Sequence, residues 1–358
     1  MGGDEFTIIL TNSPRKSSVD KLATRMIDMI SRPYDIQGHR FMIGVSIGIA
    51  SYPSDGTDTV NLLRHADAAM YKAKQAGRGL FSWFTGEVDV DNQQRAVLEN
   101  DIRLALENNQ FDMHYQPIVS LEDNRLLSAE ALLRWKHPEK GMIAPSLFIP
   151  LAEEMGLIGK IGDYALQTAC AQTVAWRDEG IHLSRINVNV STKQINNDKW
   201  LESVIATLSK TGLDPKLLNL EVTETDFTTD DKEMMETLHK VRELGISMAI
   251  DDFGMGRSSL SRLKDFPVIH LKIDGSFIRD IEHNKDDNAL VRSIVDMAHN
   301  QGIKVTAEWV ETKTQMEILH SSGCDFIQGY YISPALSTQD FKNFAHEWMH
   351  NHPETKTA

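Results

Sequence analysis

The sequence predicts an α/β protein in which a (β/α)8 barrel follows a smaller, partial α+β region. Three observations lead to this prediction. The length of 358 residues fits two domains. In residues 93–350, short apolar strands alternate with amphipathic helices. Eight such strands fit within the roughly 250 residues of a barrel. An open doubly wound sheet is the alternative, although no strand is followed by the G-x-G-x-x-G pattern typical of that fold.

The first region, residues 1–84, is predicted to fold as β-α-β-α. Residues 6–10 form an apolar run typical of a strand, and Gly2 and Gly3 would make a turn that carries Asp4 and Glu5. Helices are predicted in SSVDKLATRMIDMI and VNLLRHADAAMYKAKQAG, with the strand-like segment FMIGVSIGIASYP between them. Residues 85–92 are polar and acidic, and we predict a linker there.

The second region, residues 93–350, is predicted to form the barrel. Helices such as DKEMMETLHKVRELG and NALVRSIVDMAHNQG each end in a glycine, as helices commonly do. The predicted strands are, in order, FDMHYQPIV, LLSAEALLRW, RINVNVS, LNLEVTET, SMAIDDF, VIHLKID, KVTAEWV and FIQGYYIS.

Composition and charge narrow the possible functions. Hydrophobic residues make up 41% of the chain and charged residues 25%, as in ordinary globular proteins. The net charge of −14 argues against DNA and anionic membrane as partners. No apolar run is long enough to span a membrane, and no signal peptide is recognisable. Cys170 and Cys324 are predicted to be buried thiols, so we expect a cytoplasmic protein.

Acidic residues cluster where a barrel places its chemistry, at the carboxyl ends of the strands. Five carboxylates at one mouth would repel each other unless cations held them, and oxygen ligands favour Mg²⁺ or Mn²⁺. The adjacent pair Asp251–Asp252 suits two metal ions, an arrangement that recurs in phosphodiester hydrolysis. The candidate residues at strand ends are Glu130, Asn189, Glu221, Asp251, Asp252, Lys272, Glu308 and Gln328.

Each candidate also has a purely structural alternative. A single acid at a strand end often caps a helix. Taken together, however, these alternatives leave the cluster of acids unexplained. The structural alternatives are a turn cap for Asn189, a surface ion pair with Asp274 for Lys272, backbone hydrogen bonds for Gln116 and Gln328, and a helix cap for Glu224.

The segment SAEALLRW resembles the signature of the EAL family of cyclic di-GMP phosphodiesterases. The segments NVNVS, LEVTET, DDFGMG, LKID, AEWVE and QGY are similar to that family's other motifs, in the same order. The resemblance implies a homodimeric barrel that hydrolyses cyclic di-GMP to linear pGpG and so terminates second-messenger signalling. It implies two divalent cations, Mg or Mn, held by Glu130, Asn189, Glu221, Asp251, Asp252 and Glu308.

The same resemblance implies roles for the remaining candidates. Lys272 and Glu308 would be catalytic. An arginine beside a phosphate is sensible chemistry, and Glu224 would steady the loop after the aspartate pair. The residues implied to lie near the substrate are Gln116, Arg134 and Gln328.

The first region resembles the C-terminal half of a GGDEF domain, the diguanylate cyclase domain. The segments that carry the resemblance are GGDEF, VSIGIA, ADAAMYKAK and GRG. The resemblance implies that Asp4 and Glu5 are half of a site, so we expect no condensation of GTP. A small independent domain is the alternative, but its sheet would have an uncovered edge.

Three residues depart from the pattern of the EAL family. Trp309 stands where glycine is usual, and Met255 and Arg257 replace commoner residues after Asp252. If Glu308 points into the mouth, alternation along a strand predicts that Trp309 points outward and packs against the helices. If the strand has already ended, the ring would instead crowd the mouth. Trp309 therefore leaves open a second function, that of a non-catalytic cyclic di-GMP receptor.

Overall fold

A computed structural model describes residues 6–11, 15–36, 39–41, 43–75, 77, 79–224, 232–254 and 266–352. The chain divides into two compact units, residues 1–100 and 101–358. Helix α3, Gly86–Glu107, includes residues 86–92 of the linker predicted over residues 85–92. Among the described residues, no helix combines the length and the apolar character that crossing a bilayer requires.

Before helix α3, the described residues of the first unit form two helices and two small sheets. The elements are α1 (Lys16–Ile30), β1 (Tyr34–Ile36), β2 (His39–Phe41), β3 (Ile47–Ile49), α2 (Thr59–Gln75) and β4 (Phe81–Trp83). Strands β1 and β2 pair antiparallel, and β3 and β4 pair in parallel. Helix α2 packs so closely on β3 that a Cβ atom at Gly48 would lie only 1.8 Å from the carbonyl oxygen of Ala66.

The strand predicted over residues 6–10 is wrong, because residues 6–11 adopt no regular secondary structure. Phe6 and Ile9 are 90% and 82% exposed, so this apolar run has no packed surface beneath it. An isolated strand leaves its backbone groups unpaired, which explains why apolar sequence alone does not produce one. The segment predicted as one long strand over 41–53 contributes only the three residues of β3 after β2. The predicted turn with Asp4 and Glu5 lies outside the described residues.

The second unit contains the remaining elements. Its strands are β5 (Phe111–Ser120), β6 (Leu126–His137), β7 (Gly141–Ile143), β8 (Arg185–Asn189), β9 (Leu218–Thr223), β10 (Ser247–Phe253), β11 (His270–Ile273), β12 (Lys304–Ala307), β13 (Phe326–Ile327) and β14 (Leu336–Ser337). Its helices are α4 (Pro145–Glu154), α5 (Ile158–Asp178), α6 (Thr192–Ile195), α7 (Trp200–Thr211), a 3-10 turn (Pro215–Leu217), α8 (Lys232–Glu243), α9 (Gly275–Arg279), α10 (Lys285–His299), α11 (Lys313–Ser321) and α12 (Thr338–Asn351).

Eight of these strands close into a barrel, which confirms the predicted fold class. The order around the barrel is β5, β6, β8, β9, β10, β11, β12 and β13, and β13 pairs again with β5. Strand β5 is antiparallel to both of its neighbours, whereas the other neighbouring pairs are parallel. The reason is the short connection between β5 and β6, since a parallel pair needs a long crossover.

The two faces of the barrel wall have different chemistry. Apolar residues that alternate along β8 to β12 join the core between the sheet and the helices, as Ile186, Leu220 and Leu271 do. The intervening residues face the lumen. Many of them are polar, and they bring the candidate residues together at one end.

Candidate active site at the mouth of the barrel

The centre of the candidate site is the buried amine of Lys272 on β11, which is 2% exposed. Its Nζ lies 2.8 Å from Glu221 Oε2, 3.1 Å from Glu130 Oε2 and 3.1 Å from Asp251 Oδ1. It also lies 2.7 Å from Glu308 Oε1. The structural alternative for Lys272, a surface ion pair with Asp274, is therefore not what the structure shows. One ammonium instead joins carboxylates from four strand ends.

The adjacent residues Asp251 and Asp252 both take part, although neighbours in a strand normally face opposite sides. The register of β10 against β11 shifts between Ile250 and Phe253. Asp252 has a left-handed backbone with φ of 52°, a conformation that aspartate tolerates better than most residues. The backbone N–H of Asp252 donates to Asp251 Oδ1 at 3.0 Å. The irregularity thus turns both carboxylates towards the same site.

The acids form two groups that can each hold a cation. Carboxylate oxygens of Glu130, Glu221 and Asp251 lie within 4.8 Å of one another, as do those of Asp251, Asp252 and Glu308. Asp251 belongs to both groups. Five ionised carboxylates and one ammonium leave four negative charges, which two divalent cations would balance. Oxygen donors at this spacing fit a hard divalent cation, so the cluster could bind metal.

Burial sets the protonation behaviour of this cluster. Burial raises the pKa of Glu221 and Glu308 well above the usual range. The positive charge of Lys272 opposes this shift, and repulsion from the neighbouring carboxylates adds to it. Burial and the charge of Asp251 raise the pKa of Asp252 to about 6. Burial alone would lower the pKa of Lys272, but the surrounding carboxylates raise that pKa well above its ordinary value. The amine therefore remains an ammonium.

Amide side chains surround Glu130. Asn189 Nδ2 donates to Glu130 Oε1 at 2.6 Å, and Gln328 Nε2 donates to Glu130 Oε2 at 2.6 Å. Gln328 Nε2 also lies 3.1 Å from Gln116 Oε1, and Gln116 Nε2 donates to the carbonyl of Ser333 at 3.1 Å. Burial would raise the pKa of Glu130, but the charge of Lys272, together with the bonds from Gln328 and Asn189, holds that pKa below its ordinary value. Asn189, Gln116 and Gln328 thus lie beside the acid cluster.

Two further candidates lie at the edge of the cluster. Arg134, also on β6, donates from Nη1 to the carbonyl of Leu133 at 2.9 Å. Burial lowers the pKa of Arg134, against the charges of Glu130 and Tyr330. Glu224 Oε2 accepts from the backbone N–H of Gly254 at 2.6 Å. This bond joins the residue after β9 to Gly254, two residues beyond Asp252, and the loop-supporting role of Glu224 stays a prediction.

Trp309 is not the buried packing residue that strand alternation predicts, although its ring contacts the first residue of helix α9. Strand β12 ends at Ala307, so the alternation rule no longer applies at residue 309. Trp309 has a left-handed φ of 56° and is 58% exposed. Its ring lies against Gly275, where an added Cβ atom would be 2.3 Å from the ring Cγ. Glu308 keeps its place in the cluster despite this neighbour. Met255 and Arg257 lie outside the described residues.

Sequence reasoning missed several features of the site. It did not identify Lys272 as the common partner of four carboxylates, because the contact requires four separate strands to converge. It also missed a second polar layer deeper in the lumen. A signal for that layer was present in the alternation of polar residues in RINVN and in LNLE.

The EAL domain family model matches residues 99–335, and the model described as diguanylate cyclase, GGDEF domain, matches residues 1–80. The chain is 40% identical over 339 residues to the bifunctional diguanylate cyclase/cyclic di-GMP phosphodiesterase MucR of Pseudomonas aeruginosa, covering 95% of this chain and 49% of that protein. It is 34% identical over 348 residues to the cyclic di-GMP phosphodiesterase PdeR of Escherichia coli, covering 97% of this chain and 52% of that protein.

Among solved structures, the PaMucR phosphodiesterase in complex with c-di-GMP matches with a TM-score of 0.66 and 40% identity. The match covers 68% of this chain and 99% of that one. The chain spans about half the length of the two curated relatives described above. The order of the motifs, the closed barrel and these matches lead to one conclusion: the chain belongs to the EAL domain family, and its first 80 residues match a GGDEF domain.

Proposed function

We propose that the barrel hydrolyses cyclic di-GMP to linear pGpG with the help of two divalent cations, Mg or Mn, and thereby terminates a second-messenger signal. One observation carries this proposal: two groups of carboxylates share Asp251 and surround the single ammonium of Lys272. Relatives named as cyclic di-GMP phosphodiesterases support it, as does the related barrel solved with c-di-GMP.

The reaction adds one water molecule to one of the two phosphodiester bonds. The water oxygen bonds to phosphorus, the bond from phosphorus to the 3′ oxygen breaks, and the 3′ oxygen takes up a proton. Divalent cations at the mouth would supply Lewis-acid activation of this step. The residues proposed to hold them are Glu130, Asn189, Glu221, Asp251, Asp252 and Glu308.

Lys272 and Glu308 are proposed to be the catalytic pair. The Lys272 ammonium lies 2.7 Å from Glu308 and faces the carboxylates of the mouth. A fixed positive charge there offsets the charge of a bound phosphodiester and orients the attacking water. Glu308 is 8% exposed and so reaches the edge of the buried cluster.

The substrate is proposed to contact Gln116, Arg134 and Gln328. Gln328 donates both to Gln116 and to Glu130, so a ligand bound by the two amides would lie at a fixed position beside the acid cluster. Arg134 supplies a guanidinium, which suits a phosphate oxygen. Glu224 is proposed to steady the loop after Asp252 through its bond to Gly254.

The cellular setting is also part of the proposal. The net charge of −14 favours a small nucleotide bound through cations over DNA as a partner. A cytoplasmic homodimer that associates through the barrel is proposed from the family resemblance. Light scattering on the purified chain measures the dimer directly, and a monomer at all concentrations would contradict it.

Incubation of the purified protein with cyclic di-GMP, followed by chromatography of the nucleotides, tests the proposed reaction. With Mg²⁺ or Mn²⁺ we expect pGpG, and after exhaustive chelation we expect none. Ca²⁺ should support the reaction poorly because it imposes a less defined geometry. A Glu130→Gln variant, which keeps the shape of the side chain, should lose activity. Binding of cyclic di-GMP without turnover in every metal would contradict the proposal and indicate a receptor.

A further inference from the structure

The lumen just below the acid cluster is lined by small and polar residues. In most (β/α)8 barrels, bulky branched side chains fill this space. Here Ser128, Asn187 and Asn219 lie on the neighbouring strands β6, β8 and β9, and they are 0%, 4% and 1% exposed. Each precedes by two residues a member of the site above it. Since residues two apart share a face, all three point into the lumen.

Arg185, His270 and Phe326 form the floor of this space. Arg185 Nη1 donates to His270 Nε2 at 2.5 Å. Strands β9 and β10 separate β8 from β11 in the wall. The Arg185 and His270 side chains therefore contact each other through the lumen and do not come from neighbouring strands. The Arg185 guanidinium also lies 5.3 Å from the ring centroid of Phe326.

Five polar atoms between the floor and the acid cluster are buried without a hydrogen-bond partner among the described residues. They are Ser128 Oγ, Asn187 Oδ1, Asn219 Oδ1, Asn219 Nδ2 and His270 Nδ1. Leaving a buried polar atom without a hydrogen-bond partner is energetically costly. So many in one space therefore indicate a ligand that pairs with them.

The chemistry of these atoms identifies the kind of ligand. Because His270 Nε2 accepts from Arg185, its Nδ1 carries the proton and is a donor. Burial and the charge of Arg185 lower the pKa of His270 to about 3, so the ring stays neutral. Asn219 offers both a donor and an acceptor, and Asn187 Oδ1 is an acceptor. Such a mixed set fits water, which both donates and accepts, and it does not fit an ion of either sign.

We propose that the lumen between the floor and the acid cluster is an internal hydration site, in which Ser128, Asn187, Asn219 and His270 bind ordered water. Asn219 lies two residues before Glu221 on β9, and Ser128 lies two residues before Glu130 on β6. The bound water therefore supports the layer of carboxylates from below. Asn219 and Ser128 act as positioning residues for the cation-binding side chains, and this part of the inference rests on the proposed function.

A high-resolution crystal structure of the full chain tests the hydration site. We expect ordered water bonded to His270 Nδ1 and to the Asn219 amide. A dry lumen, or a lumen in which these atoms bond to each other, would overturn the inference. This result does not depend on turnover, so a hydrated lumen in a protein without phosphodiesterase activity would defeat the proposed function and leave the hydration site standing.

Substitution tests the positioning role. Asn219→Leu keeps the volume but removes both hydrogen-bonding groups, and we expect its affinity for Mn²⁺ to fall about tenfold. Asn219→Ser, which restores a polar group and leaves room for water, should recover most of that affinity. Mn²⁺ binding is read from the electron paramagnetic resonance of free Mn²⁺, without substrate.

The matched control is Thr173→Val. The buried hydroxyl of Thr173 donates to the Ala169 carbonyl within α5, outside the lumen, so its loss should leave Mn²⁺ affinity unchanged. If Asn219→Leu does not fold, Ser128→Ala offers a milder change of the same layer, with a smaller expected loss of affinity. Unchanged Mn²⁺ affinity in a folded lumen variant would overturn the positioning role.

Discussion

The two units of the chain bury apolar residues in different ways. Among the described residues of the first unit, the buried hydrophobic side chains are all alanines, such as Ala23 and Ala69, while Phe6 is 90% exposed. The barrel buries large aromatic residues completely, including Trp135 and Trp176. Buried apolar area is the main source of folding free energy. The comparison teaches that the barrel holds its own core and its own acid cluster, whereas the described residues of the first unit bury little apolar side-chain area.

If the barrel carries all of the catalytic activity, substitution of one carboxylate should abolish that activity. Asp251→Asn keeps the shape of the residue shared by both acid groups, yet it removes a charge from each. Several kcal/mol of cation-dependent stabilisation should be lost, so we expect activity to fall by about 10³-fold or more. The measurement is turnover of cyclic di-GMP at saturating Mn²⁺.

Asp163→Asn is the control for that change, because Asp163 accepts a hydrogen bond from Ser203 at 2.7 Å outside the mouth. It should retain the parental rate. An Asp251→Asn enzyme that keeps a tenth of the activity would mean that the shared carboxylate is not central to the site.

Lys272→Met should show how the barrel combines stability with function. The substitution leaves four carboxylates without their common ammonium, and breaking a buried ion pair in this way costs about 3–5 kcal/mol. We expect that loss in chelator, and a smaller loss in Mn²⁺, since cations balance the same charges. Urea unfolding under both conditions measures the difference.

Lys304→Met is the matched control, since Lys304 pairs with Asp325 at 2.6 Å while 58% exposed. A surface pair contributes at most about 1 kcal/mol, and Mn²⁺ should not change it. A Lys272→Met protein that is equally destabilised with and without Mn²⁺ would contradict the charge-balance account.

The pH dependence of the metal-free protein should also come from the barrel. The pKa of Asp252 is raised to about 6 from 3.8, so the folded state binds a proton more tightly than the unfolded state. Stability therefore increases as pH falls from 7 towards 4, and it decreases as pH rises through 6. We expect the melting temperature in chelator to be higher at pH 5 than at pH 7.

Asp252→Asn should reduce that difference between pH 5 and pH 7, because the substituted amide does not titrate. The pKa values of Glu221 and Glu308 are also raised, so these two residues should preserve part of the difference in melting temperature. A variant with the same pH dependence as the parent would show that Asp252 does not contribute.

Much of the barrel could be predicted from the sequence, because apolar alternation is a local signal that directly reports strands. The acid cluster followed from the rule that strand ends meet at one mouth. The antiparallel β5 was not foreseen, since its direction depends on a short connection. The conformations of Asp252 and Trp309 were not foreseen either, because both depend on where a strand loses its register or ends. In the first unit, the apolar run of residues 6–10 suggested a strand, but a strand also needs a partner, which local sequence does not supply.

Removal of residues 1–84 tests the independence of the barrel. This cut keeps all of α3, whose Ile102 and Ala105 are fully buried. We expect hydrolysis within about threefold of the full chain, which corresponds to less than 1 kcal/mol of barrier. Turnover and thermal unfolding of the shortened chain provide the measurement, and loss of the cooperative unfolding transition would contradict the comparison.

Trp309→Gly should have the smallest effect. The exposed ring gives up little buried area, and glycine relieves the left-handed backbone, which costs a non-glycine residue about 1–2 kcal/mol. We expect unfolding free energy to change by less than about 1 kcal/mol. A large loss on chemical unfolding would restore the packing role that the sequence suggested.

The central claim is that two groups of acids, joined by Asp251, hold two divalent cations, and the number of Mn²⁺ ions bound per chain tests it most directly. Calorimetric titration of the metal-free protein should give two sites in the parent. Asp252→Asn should weaken one site, and Asp251→Asn should weaken both. A single site in the parent, or two unaltered sites in Asp251→Asn, would contradict the account.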